Sequence, residues 1–305
     1  MKNIVTLLVV LFVCNTATAQ DYKFGKVSKE ELQETFNPLD SSASATYLYK
    51  YRKTFFEYQK DKGFQLITEV HERVKLYNPE GFDYATKAIS LYKSGTHQEN
   101  VSGLKAYTYN LVGSKVEGTK LKKDGIFKTE KSKYRNETKF TMPNIKEGTV
   151  VEYKYRIISP FYQNVDEFIF QHDIPIKKLE ATFETPEYFN FKVNTKGVLI
   201  VPPKKESKRD KITFRSKARV GGTGFSNGGV ETVHNSSNLE FTKNITVYNL
   251  TDVPALKNEP YVNNINNYRS SVKYELSYTE FPQTPIKHFS TTWEDVVKTI
   301  YKSSN

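Results

Sequence analysis

The sequence predicts an all-β protein: an antiparallel β-sandwich, large enough for two sub-sandwiches, with short helices near its N- and C-terminal ends. Tyrosine occurs 21 times and phenylalanine 20 times in 305 residues, against one tryptophan, and aromatic rings pack well on pleated sheets. Apolar and polar side chains alternate with a period of two over many short stretches. Turn residues separate these stretches at short intervals, which is typical of a sandwich.

The first 19 residues are predicted to be a signal peptide. Lys2 supplies the positive start, residues 4–13 an apolar core, and residues 17–19 (Ala-Thr-Ala) a cleavage site. We therefore expect an exported protein, located in the periplasm, in the cell envelope or outside the cell. No later segment approaches the roughly 18 apolar residues that a transmembrane helix needs.

The single cysteine, Cys14, lies before the predicted cleavage site. The mature chain is therefore expected to contain no disulfide, no cysteine nucleophile and no zinc-thiolate site. We expect such an exported protein to depend for its stability on the burial of its apolar core.

A short helix is predicted within residues 20–44, ahead of the first strand. Ser28 followed by Glu31 forms a capping-box pattern that opens a helix. The helix is expected to bury Leu32 and Phe36 and to end at the Asn-Pro pair 37–38. A connector of small residues then leads into the sandwich.

The predicted sandwich spans residues 45–285, and its clearest strand follows Gly148. Val151, Tyr153 and Tyr155 alternate there with polar residues such as Glu152 and Lys154. This alternation predicts one face on the core and one face in water. Earlier in the chain, a turn at residues 61–63 predicts a hairpin in which glycine adopts a positive φ.

The net charge is +11, or +10 without Lys2, because no other charged residue precedes Asp21. Acidic residues interrupt the basic run at 204–211, which we interpret as the solvated tip of a hairpin. The glycine-rich stretch 220–230 is interpreted as a flexible loop. A nucleic-acid site would need basic residues grouped with stacking aromatics on one recognition element, so we expect no nucleic-acid partner.

The last segment, residues 286–305, is predicted to be a linker followed by an amphipathic helix. Thr292 and Asp295 form a second capping-box pattern. The helix would present one apolar face formed by Trp293, Val296, Val297 and Ile300. Two interpretations stay open: a partner-facing helix that begins a further domain, or a helix that packs back on the sandwich.

Seven stretches together resemble a known module, domain of unknown function 3857, which precedes transglutaminase-like domains in many exported bacterial proteins. The match runs in order through nearly the whole mature chain. The stretches are HERVKLYNPEG (71–81), LKAYTYNL (104–111), TKLKKDGIF (119–127), KFTMPNIKEGTVVEYKYRIISPF (139–161), FQHDIPI (170–176), VPALKNEPYV (253–262) and TTWEDV (291–296).

The resemblance implies an all-β module with a non-catalytic role in binding or scaffolding. In longer members of the family, the Thr-Trp-Glu-Asp helix leads into a transglutaminase-like core with a Cys-His-Asp triad. That triad would lie beyond Asn305, so no catalytic residue is carried over to this sequence. The implied partner is a transglutaminase-like domain in the same chain or in another chain.

The histidines and carboxylates give no catalytic or metal-binding pattern, so we expect no metal, no cofactor and no enzymatic activity. The five histidines lack ligand spacing, and they are His71, His97, His172, His234 and His288. The adjacent pair His172–Asp173 would point to opposite faces of a strand. Asp166 and Glu167 are the best local carboxylate pair for a glycosidase, although a solvated strand edge is the default interpretation.

Two pairs of tyrosines suggest a stacking platform for a sugar or a peptide. Tyr107 and Tyr109 share one face of a predicted strand, as do Tyr153 and Tyr155. At a period of two, the same spacing also fits core or cross-strand packing.

Three hypotheses about function follow. The first is a non-catalytic exported sandwich that binds or positions a partner for a transglutaminase-like domain. The second is a stand-alone envelope protein that binds peptide or glycan. The third is a glycan-acting enzyme that uses an unrecognised pair of carboxylates.

Overall fold

The computed structural model describes residues 22–60, 62–220 and 231–289, together with residues 297 and 301. In this part of the chain the fold is all-β, as predicted. Its α-helix is α1 (Lys29–Gln33), and 3₁₀ turns cover Pro79–Ala85, Lys123–Gly125 and Ile265–Asn267. The strands are β1 (Ala45–Gln59), β2 (Gly63–Leu76), β3 (Thr86–Ser94), β4 (His97–Gln98), β5 (Asn100–Val112), β6 (Lys115–Lys120), β7 (Ile126–Ser132), β8 (Arg135–Thr141), β9 (Val150–Ser159), β10 (Phe168–Ile169), β11 (Ile176–Pro186), β12 (Phe189–Lys196), β13 (Lys204–Val220), β14 (Glu231–Val253), β15 (Ser271–Thr279) and β16 (Lys287–His288).

One large sheet of eight strands organises the fold, in the order β13-β14-β11-β1-β2-β9-β5-β6. Its neighbouring strands are antiparallel except for β1 and β11, which pair in parallel. One four-stranded sheet has the order β10-β15-β12, with β16 added to β15. A second has the order β4-β3-β8-β7.

Both small sheets pack on the same face of the large sheet. Phe140 of β8 meets Tyr153 of β9 edge to face, with ring centroids 5.4 Å apart. Tyr274 of β15 packs on Phe183 of β11, with centroids 4.2 Å apart. These residues belong to one continuous apolar core. The two sub-sandwiches therefore share one large sheet and one core.

The N-terminal segment, residues 22–36, covers part of the other face of the large sheet. The ring of Tyr22 stacks on Tyr49 of β1 at 4.8 Å, and Leu32 of α1 is buried. The predicted capping box is present: the backbone N–H of Ser28 donates to the Glu31 carboxylate at 2.7 Å, and the Ser28 hydroxyl accepts from the Glu31 N–H at 3.2 Å. The helix is shorter than predicted and ends at Gln33, so Phe36 is 53% exposed rather than buried.

Strands β13 and β14 form a long hairpin at one edge of the large sheet. The register of β14 on β11 covers residues 243–253, so residues 231–242 pair with β13 alone. The charged run 204–211 lies within β13, and its prediction as a hairpin tip is wrong. The run pairs with residues 240–247 of β14 at the outer edge of the large sheet and most of its side chains are exposed, so alternating charges suit it as well as they suit a turn. The glycine-rich stretch 221–230 lies outside the described residues.

The C-terminal helix can be compared with its prediction at only a few positions. Val297 and Tyr301 are helical and exposed. Trp293, Val296 and Ile300 lie outside the described residues, as do the predicted signal peptide and its cleavage site. Across the ranges that the structure covers, no helix is both long and apolar enough to span a membrane.

Candidate functional site

Ionisable side chains gather on both faces of the large sheet where β1, β2 and β9 run side by side. Successive residues of β2 point to opposite faces. His71 and Arg73 therefore face the N-terminal segment, whereas Glu72 faces the core between the sheets. One short stretch of β2 thus contributes to two separate buried clusters.

We call the cluster under the N-terminal segment the Arg73 network; it consists of Arg73, Glu152, Glu31 and His71. The Arg73 guanidinium donates to Glu152 Oε1 through Nε at 3.0 Å and Nη2 at 2.7 Å. Its Nη1 donates to Glu31 Oε1 at 2.8 Å. His71 Nε2 lies 2.8 Å from the same Glu152 oxygen. Arg73 is 1% exposed and Glu152 is fully buried.

Attraction within the Arg73 network outweighs the cost of burying its charges. Burial alone would raise the pKa of Glu152, but the hydrogen bond from His71 and the charge of Arg73 lower it. Burial likewise opposes the charge of Arg73, yet Glu152 and Glu31 raise its pKa. Both groups are therefore held in their charged forms.

The Arg73 network also holds the backbone of the N-terminal segment. Arg73 Nη2 donates to the carbonyl of Lys23 at 2.8 Å, and the N–H of Gly25 donates to Glu152 Oε2 at 2.8 Å. Nearby, Lys75 Nζ donates to the carbonyls of Leu32 at 2.6 Å and Gly148 at 2.7 Å. Burial lowers the pKa of Lys75 to about 8. These contacts fix the segment on the sheet.

On the core side, Glu72 is the centre of a second cluster. Its Oε1 accepts a short hydrogen bond from Lys50, and its Oε2 accepts one from Lys87 at 2.9 Å and a short one from the Tyr153 hydroxyl. Burial would raise the pKa of Glu72, but Lys50 and Lys87 and the hydrogen bonds hold it well below its usual value. Three donors therefore hold Glu72 in its ionised form.

A cavity of about 210 Å³, the inner cavity, adjoins this cluster between the large sheet and the segment that contains β10. Lys50, Glu72, Arg52 and His172 line it. The Arg52 guanidinium lies over the ring of Phe168 at 3.9 Å. It donates through Nε to Thr54 at 3.1 Å and through Nη1 and Nη2 to the carbonyls of residues 167 and 166 at 2.7 and 2.8 Å.

His172 and Asp173 do not act as a pair in the structure. His172 lies against the ring of Tyr47 with centroids 5.5 Å apart. Asp173 is exposed and accepts a hydrogen bond from the Tyr84 hydroxyl at 2.7 Å. Burial and the charge of Lys50 hold the pKa of His172 well below its usual value. Histidine 172 is therefore neutral near pH 7.

Asp166 and Glu167 have different surroundings in the structure. Asp166 is exposed, whereas Glu167 forms an ion pair with Lys196 at 2.8 Å and accepts a short hydrogen bond from Ser271. Burial would raise the pKa of Glu167, but its hydrogen bonds with Lys196 and Ser271 lower it. The observed contacts match a strand-edge ion pair.

The two tyrosine pairs lie on opposite faces of the large sheet, so they do not form one platform. Tyr153 and Tyr155 are buried in the core. Tyr107 and Tyr109 face the N-terminal segment, because Tyr107 lies opposite Glu152 in the register of β5 and β9. Tyr107 is half-buried and meets Phe24 edge to face at 6.1 Å.

Beside the N-terminal segment lies an open depression of about 550 Å³, which we call the basic groove. Its charged rim is formed by Lys105, Lys154 and Arg156. Lys154 Nζ lies 4.6 Å above the ring of Phe24, and Arg156 pairs with Glu69. Lys105 and Lys154 form no ion pair with a described side chain, so the groove has excess positive charge.

A bulge in β5 shapes one wall of the basic groove. The register between β5 and β9 shifts between Ser102 and Lys105, and Gly103 has a φ of +64° there. Bulges of this kind redirect side chains and are frequent beside functional sites. Ser102, Gly103 and Lys105 all line the groove.

No group of three or more histidine, cysteine, aspartate or glutamate side chains could hold a metal ion within residues 22–60, 62–220 and 231–289. Neither buried cluster was expected from the sequence, because charges in a strand usually indicate a solvated face. One sequence feature could have indicated the two clusters: the run His71-Glu72-Arg73 lies in the middle of a strand, and such a run places ionisable side chains on both faces of the sheet.

No protein-family model matches the chain, and no curated protein matches it. The resemblance to domain of unknown function 3857 therefore stays a prediction. A crystal structure of a "putative protease" from Parabacteroides distasonis ATCC 8503 is similar, with a TM-score of 0.53 and 13% sequence identity. The match covers 77% of this chain and 41% of that chain. At this identity the likeness is one of fold, and the chain spans less than half the length of that protein.

Proposed function

We propose that this chain is a non-catalytic module of an exported protein, and that it binds or positions a transglutaminase-like domain through the basic groove. The proposal rests on one observation, that a similar fold forms part of a longer protein. The match to the Parabacteroides distasonis protein accounts for 77% of this chain but 41% of the other. A fold of this kind therefore accompanies other chain segments, as the resemblance to domain of unknown function 3857 also implies.

The basic groove has the features of a docking surface for an acidic partner. Phe24 and Tyr51 contribute aromatic ring surface to its lining, and Lys105 and Lys154 contribute positive charge. Interfaces commonly combine aromatic anchors with a polar rim. Rim charges of one sign also accelerate the approach of an oppositely charged partner.

The charged forms in which the clustered carboxylates are held support a non-catalytic role. Catalytic acids and bases need a proton that they can exchange with substrate. In the Arg73 network and around Glu72, the carboxylates instead face buried cations that hold them ionised. Such arrangements are typical of structural ion pairs.

Complex formation is the direct test of the proposal. The mature chain would be mixed with the transglutaminase-like domain encoded in the same reading frame or in the nearest gene, and sedimentation velocity would be recorded at low and high salt. We expect a one-to-one complex that weakens as salt rises, because the proposed contact is electrostatic. The absence of a complex, together with peptidase activity in the isolated chain, would contradict the proposal.

A second candidate, a stand-alone envelope protein that binds peptide or glycan, is favoured by the aromatic rings in the same groove. Aromatic faces suit both sugars and peptides. Titration with neutral oligosaccharides and with acidic peptides separates the two candidates. Saturable binding of an oligosaccharide at the groove in the absence of any partner domain would favour the second candidate.

A further inference from the structure

We propose that the inner cavity binds a small apolar monocarboxylate, with its carboxylate between Lys50 and Arg52 and its hydrocarbon part against the apolar wall. This site is separate from the basic groove, which lies on the other face of the large sheet. The proposal therefore does not depend on the function proposed above.

The size and lining of the inner cavity fit a ligand of a few heavy atoms. Its volume of about 210 Å³ corresponds to about seven water molecules, which is below the range of pockets for drug-sized ligands. Val70, Ile157, Leu179, Phe168 and Phe170 supply the apolar part of the wall. Asp166 and Ile169, which also line it, are exposed and mark its mouth.

The polar end of the inner cavity has more hydrogen-bond donors than acceptors. Lys50 carries three N–H donors, and among the described residues it donates to Glu72 alone. Arg52 carries five donors, three of which are used by Thr54 and two backbone carbonyls. Among the lining carboxylates, Glu72 is the almost fully buried one, and it already accepts hydrogen bonds from Lys50, Lys87 and Tyr153. A ligand that fits this end must therefore accept hydrogen bonds.

The charges around the inner cavity also favour an anion. Glu72 is the lining carboxylate that is almost fully buried, and it is paired with Lys50, which lines the cavity, and with Lys87 beside it, while Arg52 lies in the same lining. The other lining carboxylates are paired elsewhere or exposed: Glu167 with Lys196, Glu180 with Lys178, and Asp166 at the mouth. Burial lowers the pKa of Lys50 and lowers that of Arg52 to about 10. A bound carboxylate would offset that cost by pairing with both cations, and Arg is well suited to the planar carboxylate.

His172 also lines the inner cavity and lies near enough to Lys50 for that charge to lower its pKa. Its Nε2 is buried and has no hydrogen-bond partner among the described residues, and buried polar atoms in folded proteins usually have one. In the Nε2–H tautomer this ring can donate to a carboxylate oxygen.

Isothermal titration of the wild-type chain tests the charge recognition without any substitution. Butyrate, 1-butanol and butylamine have nearly the same shape, and they differ in charge. We expect butyrate to bind at least tenfold more tightly than 1-butanol, and butylamine not to bind. Equal binding of butyrate and 1-butanol, or binding of inorganic phosphate with a preference over butyrate, would overturn the proposal.

A variant and a matched control locate the site. We expect Lys50→Met to weaken butyrate binding at least tenfold, whereas Lys273→Met, which removes an exposed lysine paired with Glu275 on β15, should leave it within twofold. If Lys50→Met does not fold, the ring signals of His172 in the NMR spectrum of the wild-type chain show whether butyrate binds in the inner cavity. They should shift on saturation with butyrate, and unchanged His172 signals would overturn the proposal.

Discussion

Arg73 binds a single oxygen of Glu152 through two of its nitrogens, Nε and Nη2, and joins β2 to β9 under the N-terminal segment. The remaining nitrogen, Nη1, contacts Glu31 of α1. Both side chains of the central pair are almost completely buried. The pair therefore couples the large sheet to the segment that covers it.

Removal of the Glu152 charge is expected to destabilise the protein strongly. In Glu152→Gln, Arg73 would stay buried and lose the charge of its main partner, with Glu31 left as its one carboxylate in the network, and breaking a buried ion pair typically costs about 3–5 kcal/mol. Urea unfolding at pH 7 measures the loss. The matched control is Glu69→Gln on the same face, where the pair with Arg156 is partly exposed and should contribute at most about 1 kcal/mol. Equal losses in the two variants would contradict a structural role for the Arg73 network.

Glu72 is expected to stabilise the fold above its unfolded pKa and to lose this contribution in acid. Burial opposes ionisation of Glu72, but Lys50 and Lys87 hold its folded pKa well below the usual 4.5. The unfolded chain therefore takes up the proton first as the pH falls. The difference in unfolding free energy between wild type and Glu72→Gln should be constant above about pH 5 and should shrink below it, by about 1.4 kcal/mol per pH unit. A difference that stays constant down to pH 3 would contradict this account.

His172 is expected to cause a loss of stability below pH 6.5, ahead of the carboxylates. Burial and the charge of Lys50 hold its folded pKa well below 6.5, so the unfolded chain binds a proton there that the folded chain does not. The unfolding free energy of wild type should therefore fall relative to that of His172→Gln between pH 6.5 and 5. The slope should reach about 1.4 kcal/mol per pH unit. Parallel pH profiles for the two proteins would show that the ring is not buried in its neutral form.

Gly81, in the 3₁₀ turn Pro79–Ala85, is expected not to tolerate a methyl group. A Cβ added there would lie 2.3 Å from the backbone oxygen of Ser44, which cannot move without shifting the start of β1. Gly81→Ala should cost about 3 kcal/mol, at the upper end for overpacking. Gly125→Ala is the control, since the close contact of its Cβ would be a side-chain methyl of Leu121 at 2.8 Å, and the nearest backbone atom would lie at 3.9 Å. Thermal unfolding of both variants measures the difference, and similar losses would contradict the observed contact with Ser44.

The alternation of residues was enough to predict β9 and the inward face that carries Val151, Tyr153 and Tyr155. It also predicted an outward face in water, which is wrong for Glu152 because the N-terminal segment covers it. Periodicity shows which residues share a face, but it does not show which distant segment covers that face. The buried position of Glu152 depends on residues 23–31, more than a hundred positions earlier in the chain.

Because periodicity does not show what covers a face, the sequence also failed to predict the two buried clusters and the strand at residues 204–211. The burial of Glu72 follows from the packing of the β3 and β8 sheet over β2, which no local pattern in β2 reveals. The run 204–211 looked like a turn because acids interrupt its bases, yet it forms part of an edge strand, and most of its side chains are exposed. Local capping was easier to predict: Ser28 and Glu31 form the expected capping box, since that motif depends on neighbours in the chain.

Docking through the basic groove, as proposed, is tested most directly by isothermal titration calorimetry of the proposed transglutaminase-like partner domain with two charge-reversed variants. Lys154→Glu places a negative charge beside Phe24 in the basic groove, whereas Lys128→Glu alters an exposed strand of a small sheet. We expect the partner domain to bind Lys154→Glu about tenfold more weakly than wild type, a loss of about 1.4 kcal/mol, and to bind Lys128→Glu with unchanged affinity. Equal affinities for both variants and wild type would contradict docking through the groove.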